Sequence, residues 1–236
     1  MRQRVVGLSQ LILATLLVAA SLDAQSVRPA VVEYSHVARG KFELVNETVF
    51  PMVVVLEPRG FRVESSGELF DEPFDSTRIQ LKLSAMSFRI PPLQSYTVFY
   101  EASATQRPAW FQIISAMSGV RTANGLNVRI ELPHVVYLLQ KEPLRRSDVA
   151  VRSFAFDSAG KRAILELENT SDALGRVLRS EVAGAGKSQV PGGGFPLFPQ
   201  SRRRIEVPWN AESGPERFLL RFATFTVEER RKSGDR

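Results

Sequence analysis

Few residues of this chain could support catalysis. There are only two histidines, His36 and His134, and no cysteine. A nucleophilic triad needs a base beside its nucleophile, and a metal centre needs several ligands at matched spacing. The histidines lie far apart in sequence, and no His-Glu-x-x-His or Gly-x-Ser-x-Gly motif occurs. We therefore predict that the protein is not an enzyme, that it has no catalytic residue, metal or cofactor, and that His134 is structural.

One stretch, Gly184-Ala185-Gly186-Lys187-Ser188, looks like the end of a phosphate-binding loop. The first glycine of Gly-x-x-x-x-Gly-Lys-Ser would fall on Glu181, and no helix signal follows. We therefore predict a hairpin loop here. We also predict a flexible turn at Gly192-Gly193-Gly194.

The net charge of +6 is spread along the chain, apart from a few short basic groups. These groups are Arg145-Arg146, Arg202-Arg203-Arg204 and the segment from Glu228 to Lys232. A nucleic-acid-binding protein would gather its bases on one element with aromatic side chains between them. The sequence predicts solvated faces and no nucleic-acid partner.

The stretch Asn124 to Leu139 alternates in polarity over its first half. Its even positions begin with Leu126, Val128, Ile130 and Leu132, whereas the odd positions between them are Asn127, Arg129 and Glu131. This period of two predicts a strand with one apolar face, which covers either its own core or a partner. Pro133 cannot donate a ladder hydrogen bond and belongs at an edge or bend, so we expect the residues after it to serve their own domain.

The first residues have the pattern of a secretory signal peptide, which we place at residues 1–24. Arg2 and Arg4 precede an apolar run from Val5 to Ala20 and a small-residue exit. The apolar run is short for a bilayer span, and no second span follows. Loss of Arg2, Arg4 and Asp23 changes +6 by −2 and +1, leaving about +5. An exported chain without cysteine suits a bacterial periplasm.

The mature chain reads as all-β, because short β-branched and aromatic runs alternate with Gly, Pro, Asn and Ser. In the first half we predict strands at Ala30 to Tyr34, Lys41 to Val45, Met52 to Glu57, Ile79 to Ser84, Ser87 to Ile90, Tyr96 to Ala102, Ala109 to Ser115 and the alternating stretch. In the second half we predict Ala150 to Phe156, Arg162 to Glu168, Val177 to Val182, Arg202 to Val207 and Arg217 to Thr226.

A polar, proline-containing segment around Pro143 predicts a domain boundary. We place one domain at 26–143, a second at 147–229 and a polar tail at 230–236. A Glu-Leu-x-Asn sequence occurs in each half, ending at Asn46 and at Asn169. Asn at a strand end can bond nearby backbone and adopt positive φ, so we expect both to end their strands sharply.

Several motifs in this order resemble the PapD-like periplasmic pilus-assembly chaperones. They are Arg28-Pro29-Ala30-Val31, Phe42-Glu43-Leu44-Val45-Asn46, Phe88-Arg89-Ile90-Pro91-Pro92-Leu93-Gln94, Trp110-Phe111-Gln112-Ile113, the alternating strand, and in the second half Ala163 to Thr170 and Gly193 to Pro199. The resemblance implies two immunoglobulin-like sandwiches in a boomerang arrangement.

The resemblance also implies a mechanism, donor-strand complementation, in which the alternating strand completes an incomplete partner fold. The donated side chains would be Leu126, Val128, Ile130 and Leu132. The implied partners are subunits of a surface fibre or another exported β-rich client, and an outer-membrane usher. A self-dimer is left open.

One departure concerns how a client would be anchored. The family holds a client's terminal carboxylate with an Arg and a Lys, whose positions fall here near Val31 and at Pro133 to Val135. Neither position carries a base. Two other functions stay open: a structural or adhesive cell-envelope protein without chaperone activity, and a secreted hydrolase with a dispersed site.

Overall fold

The computed structural model describes residues 25–121, 127–184 and 186–231. The predicted signal peptide lies outside the described residues. The strands of the first half are β1 Ser26–Arg28, β2 Val31–Tyr34, β3 Ala38–Val45, β4 Met52–Val63, β5 Leu69–Glu72, β6 Ile79–Leu83, β7 Ser87–Ile90, β8 Ser95–Ala104, β9 Ala109–Arg121 and β10 Asn127–Leu138. A 3₁₀ turn, Arg146–Asp148, separates them from the second half.

The strands of the second half are shorter. They are β11 Val149–Asp157, β12 Arg162–Asn169, β13 Gly175–Val177, β14 Arg179–Gly184, β15 Lys187–Gln189, β16 Phe195–Leu197, β17 Arg202–Pro208, β18 Arg217–Arg221 and β19 Thr226–Arg230. Every pairing is antiparallel except that of β10 with β2. The prediction of an all-β protein is confirmed.

The first half is a sandwich of two sheets. One sheet has the order β1-β3-β8-β6, and the other has the order β2-β10-β9-β4-β5 with β7 also paired to β4. Alternate residues of both sheets point inward and form one core, in which Phe42, Val98, Phe111 and Val136 are fully buried. The chain changes sheet between β1 and β2, at Pro29.

The second half has its own core between the sheets β11-β12-β17 and β15-β14-β18-β19, with β13-β16 beside them. Leu165, Trp209 and Phe218 are fully buried there. The first core runs from Ala38 to Leu138 and the second begins at Leu144. The boundary predicted near Pro143 lies between them, and β19 ends at Arg230, the first residue of the predicted tail.

Two strand predictions are wrong. Val177 to Val182 is not one strand, because β13 ends at Val177 and β14 begins at Arg179 in a different sheet. Arg217 to Thr226 is a hairpin of β18 and β19, whose turn is flanked by Phe222 and Phe225. These two rings stack at a centroid distance of 4.4 Å. The turn therefore contains apolar side chains and no glycine or proline, which hid it in the sequence.

Asn46 and Asn169 each end a strand or follow its last residue, but not through positive φ, which neither adopts. Each side chain is fully buried instead. The expected local bond is present, because each Oδ1 accepts from the backbone N–H two residues later. Each Nδ2 also donates to more distant carbonyls, which sequence reasoning missed.

The two domains share a third apolar cluster, formed by Phe61 and Tyr137 of the first domain and Leu174 and Phe198 of the second. The side-chain amide of Gln140 binds the second domain through two hydrogen bonds. Its Nε2 donates to Leu174 O at 3.0 Å, and its Oε1 accepts from Leu174 N at 3.1 Å. The β4–β5 hairpin also reaches across: Arg204 N donates to Ser65 O at 2.7 Å.

Candidate functional site

The alternating stretch forms β10, which has one edge paired along its whole length and the other paired only in part. β9 pairs with it from Asn127 to Leu138. On its other edge, β2 pairs only with Val135 to Leu138. Within the described part of the chain, residues 127–134 therefore have no strand on this second edge. We call residues 127–134 of β10 the open edge.

The direction of the backbone groups on the open edge follows from the neighbouring bonds. Val135 N donates to Ala30 O and Leu139 N donates to Tyr34 O, so odd residues point toward the β2 side. Successive residues of a strand point their backbone groups to opposite sides. Glu131 therefore turns both N–H and C=O to the open edge, whereas Arg129 lies at a register shift in the pairing with β9. Pro133 turns only a carbonyl there, since it has no N–H.

The even side chains of β10 face the inside of the first sandwich. Val136 and Leu138 are fully buried in the core, and Leu132 is partly buried against it. Ile130, opposite Met117 of β9, is half-buried. Leu126 lies outside the described residues, and of Val128 only the backbone, paired with Val120, is described. The apolar face of β10 is therefore fully buried at Val136 and Leu138 and only partly buried at Leu132 and Ile130.

The odd side chains lie on the outer face, where an ion-pair network holds them. Arg129 contacts Glu57 at 2.7 Å and Glu131 at 2.9 Å. Arg59 joins Glu57, Glu131 and Asp71 at 2.6, 3.1 and 2.7 Å. Hydrogen bonding to Arg59, with help from Arg129, lowers the pKa of Glu57. The network spans β4, β5 and β10, so it fixes the outer face of the open edge to the sheet.

His134 stands where the open edge meets the part paired with β2. Its side chain is fully buried, and its ring stacks on Phe42 at a centroid distance of 4.6 Å. Nδ1 lies 2.6 Å from Pro29 O, and Nε2 lies 3.0 Å from the Tyr100 hydroxyl. A carbonyl only accepts, so Nδ1 carries the proton and Nε2 accepts from Tyr100. His134 is thus a structural residue that ties the crossing point of the first strand to β10.

Burial decides the charge state of this group. Desolvation lowers the pKa of His134, against the opposing effect of the Pro29 carbonyl. Desolvation also raises the pKa of Tyr100, whose hydroxyl lies 3.0 Å from that of Tyr34. The histidine is therefore neutral, and no nucleophile contacts it among the partners above. His134, Tyr100 and Tyr34 therefore form a packed structural cluster and not a proton-transfer site.

A cleft of about 320 Å³ lies between the domains, close to the C-terminal end of β10. Its cations are Lys141 and Arg176, and Arg176 is paired with Glu33 and lies over the Tyr137 ring at 5.2 Å. The positions expected to anchor a carboxylate hold the half-exposed Val31 and the segment from Pro133 to Val135. The cleft's bases thus come from other positions than the resemblance implies.

Nowhere in 25–121, 127–184 or 186–231 do three or more His, Asp or Glu side chains gather as ligands for a metal ion. Within these ranges there is also no helix of sufficient length and hydrophobicity to span a bilayer. Gly184 and Lys187 pair across a β14–β15 hairpin, as predicted for the glycine-rich stretch.

Solved structures with this architecture are fimbrial chaperones. One chain of the chaperone–tip adhesin complex of CFA/I fimbriae biogenesis is similar over 88% of this chain and 98% of that chain, with a TM-score of 0.51 and 7% identity. One chain of the CsuC–CsuE pre-assembly complex of Acinetobacter baumannii is similar over 87% of this chain and 97% of that chain, with a TM-score of 0.50 and 10% identity. The YadV chaperone is similar over 87% of this chain and 98% of that chain, with a TM-score of 0.51 and 12% identity.

No protein-family model and no curated protein matches the sequence. At identities this low, the structural likeness establishes the fold alone. The chain has the two-domain, immunoglobulin-like fold of the PapD-like chaperones, as the sequence motifs predicted.

Proposed function

We propose that this protein is a periplasmic, chaperone-like protein that binds exported fimbrial or other β-rich subunits by lending them the open edge of β10. The observation that carries the proposal is the unpaired edge at residues 127–134, which ends where β2 begins to pair. An exposed strand edge can pair with another strand, and proteins normally cover it or interrupt it with charges or proline. Here Pro133 interrupts only one position, and the side chains of Arg129 and Glu131 are held in ion pairs on the outer face. An edge left open beside a partly covered apolar face suits a partner strand.

The chemistry of the edge defines what it would bind. A partner strand laid beside it would exchange backbone hydrogen bonds with Glu131, and would find no donor at Pro133. Ile130 and Leu132 would then face a continuous core shared with the partner. Full burial of one aliphatic side chain contributes roughly 1.5 to 3 kcal/mol before ordering costs. The partner would be a sandwich that lacks one strand.

The fold neighbours support this proposal. One is a chaperone crystallised with a tip subunit before assembly, and another is a chaperone–tip adhesin complex. The predicted signal peptide at residues 1–24 would deliver the protein to the same compartment as such subunits. Because neither Val31 nor the segment from Pro133 to Val135 supplies a cationic anchor, the strand edge rather than a carboxylate anchor would provide most of the binding energy.

Co-purification from the periplasm of the native host tests the proposal. The wild-type protein should elute with a small exported β-rich subunit, and Ile130→Glu should reduce its yield at least tenfold. Val53→Glu is the matched control, because it places the same charge at an exposed apolar residue of β4, two strands away from β10, and it should retain the subunit. If neither protein brings a subunit with it, a structural or adhesive role in the envelope is the better account.

A further inference from the structure

The second domain exposes two sheet faces whose charges are arranged in opposite ways. On the β11-β12-β17 face, cross-strand neighbours have opposite charge: Glu168 faces Arg202 and Glu166 faces Arg204. Their ion pairs measure 3.5 and 3.7 Å. The opposite charges on this face therefore compensate one another.

The face of the β15-β14-β18-β19 sheet does the reverse. Arg179 of β14 lies directly opposite Arg221 of β18, and Arg217 of β18 lies directly opposite Arg230 of β19. All four side chains are exposed, because the residues that alternate with them, such as Phe218 and Leu220, fill the core. Like charges directly opposite each other on antiparallel strands are destabilising. This arrangement therefore costs the isolated domain stability wherever no carboxylate compensates the charge.

Some of this charge is balanced and some is not. Arg179 pairs with Glu181 at 3.9 Å and Arg230 with Glu228 at 2.9 Å. Arg217 and Arg221 make no ion pair with any residue in the described part of the chain. Beside Arg217 and Arg230, a polar groove of about 470 Å³ adds Lys187 and the carboxylate of Glu216. The face thus offers two guanidinium groups, those of Arg217 and Arg221, that no ion pair holds in the described part of the chain, with carboxylates in the neighbouring row and groove.

The pattern also distinguishes between kinds of anion. Between the two arginine rows runs a row of Glu181, Leu219 and Glu228. The face is therefore striped, positive on both sides and acidic or apolar in the middle. A uniform anionic layer would meet the two carboxylates unfavourably, whereas a folded partner can place its own carboxylates opposite the arginines alone. Arginine also binds carboxylates in a bidentate, oriented manner.

We infer that the outer face of the β15-β14-β18-β19 sheet is a docking surface for a partner protein with a carboxylate-rich face. It lies in the second domain, on other residues than the open edge, so it does not depend on the proposed subunit binding.

The test compares two double variants by binding to fluorescent poly-L-glutamate and to vesicles containing phosphatidylglycerol. Arg217→Glu with Arg221→Glu should weaken poly-L-glutamate binding at least tenfold. The matched control, Arg202→Glu with Arg204→Glu, removes the same charge from the opposite face and should bind within about twofold of wild type. Equal losses in both variants would overturn the inference. Vesicle binding that exceeds poly-L-glutamate binding would also overturn it, in favour of a lipid surface.

Thermal stability gives an independent readout that needs no ligand. Arg217→Gln with Arg221→Gln removes both like-charged pairs without adding acids beside Glu181, Glu216 and Glu228, so Tm should rise by roughly 1 to 5 °C. The control variant should lower Tm, since it places acids opposite Glu166 and Glu168. A fall in Tm for the Arg217→Gln and Arg221→Gln variant would show that these arginines stabilise the domain, and would contradict the inference.

Discussion

Asn46 and Asn169 occupy equivalent places in the two domains and make the same set of hydrogen bonds. Each Nδ2 donates to the carbonyl four residues later, at 2.8 Å for Phe50 and 2.6 Å for Ala173. Each Oδ1 accepts from a hydroxyl two residues later, at 2.7 Å for Thr48 and 2.9 Å for Ser171. Each Nδ2 also reaches two successive carbonyls of a distant segment, which are Ile90 and Pro91 in one domain and Leu197 and Phe198 in the other.

This repeated arrangement predicts that neither asparagine tolerates a change to aspartate. Asn46→Asp or Asn169→Asp would place a carboxylate oxygen against three carbonyls in a fully buried site, where only a donor is satisfied. We expect each change to lower the free energy of unfolding by roughly 2 to 4 kcal/mol, measured by urea denaturation. Thr48→Ala and Ser171→Ala remove only hydroxyl bonds, which link to the asparagine Oδ1 and to the backbone of Phe50 or Ala173, and should cost about 1 kcal/mol. Equal effects of the two kinds of change would contradict this explanation.

His134 predicts a pH dependence of stability. Its pKa is lowered in the folded protein by burial, whereas the unfolded chain takes up a proton near pH 6.5. Below that pH the unfolded state binds more protons, so the free energy of unfolding should fall as the pH drops from about 6.5 toward the folded pKa, and this contribution should be complete above 6.5. Denaturation at a series of pH values measures it.

Two substitutions separate His134 from the other titrating groups. His134→Gln should lower stability at pH 7 by roughly 1 to 3 kcal/mol, and should flatten the dependence between pH 5 and 7. The control is His36→Gln, because His36 is exposed. It should leave the dependence as in the wild type. If the His134 variant keeps the full slope, the pH dependence arises elsewhere.

The contact between Gly67 and Arg203 predicts a sensitive point in the domain interface. Gly67 has φ of +97°, and a Cβ added there would lie 1.9 Å from Arg203 Nη1. Gly67→Ala therefore meets backbone strain and displaces the end of the Arg203 side chain from the interface, and should lower stability by roughly 1 to 3 kcal/mol in scanning calorimetry. Gly192→Ala, with nothing within 4 Å of its Cβ and no positive φ, is the control. Equal Tm values for the two variants would be the contrary result.

Much of the first domain was predictable because its strands alternate clearly. Ser87–Ile90 is predicted and observed with the same bounds, and the alternating stretch forms β10 as expected. The hairpin of β18 and β19 was not predictable, because Phe222 and Phe225 stack across the turn and continue the apolar pattern. In addition, β1 and β5 were missed, since their three and four residues depend on pairing with β3 and β4 for their conformation.

The candidate site was predictable in part. The period of two in β10 identifies which side chains share a face, but not where a neighbouring strand stops. The pairing of β2 with β10 stops at Val135. This limit depends on the crossing of the chain between sheets at Pro29 and on the bond from His134 to the Pro29 carbonyl. These are contacts over more than 100 residues, and local pattern carries no information about them. The arginine rows of the second domain could not be predicted for the same reason, because which arginines lie opposite each other depends on the register between strands.

Site-specific photocross-linking in living cells tests most directly the claim that β10 lends its open edge to a client. A photoreactive amino acid at position 130 would lie on the apolar face, and one at position 131 on the outer face. We predict that position 130 cross-links to a small exported β-rich subunit, with peptides from the subunit's core identified by mass spectrometry, and that position 131 does so at least fivefold less. Cross-links from position 130 that remain within this chain's own first domain would contradict the account.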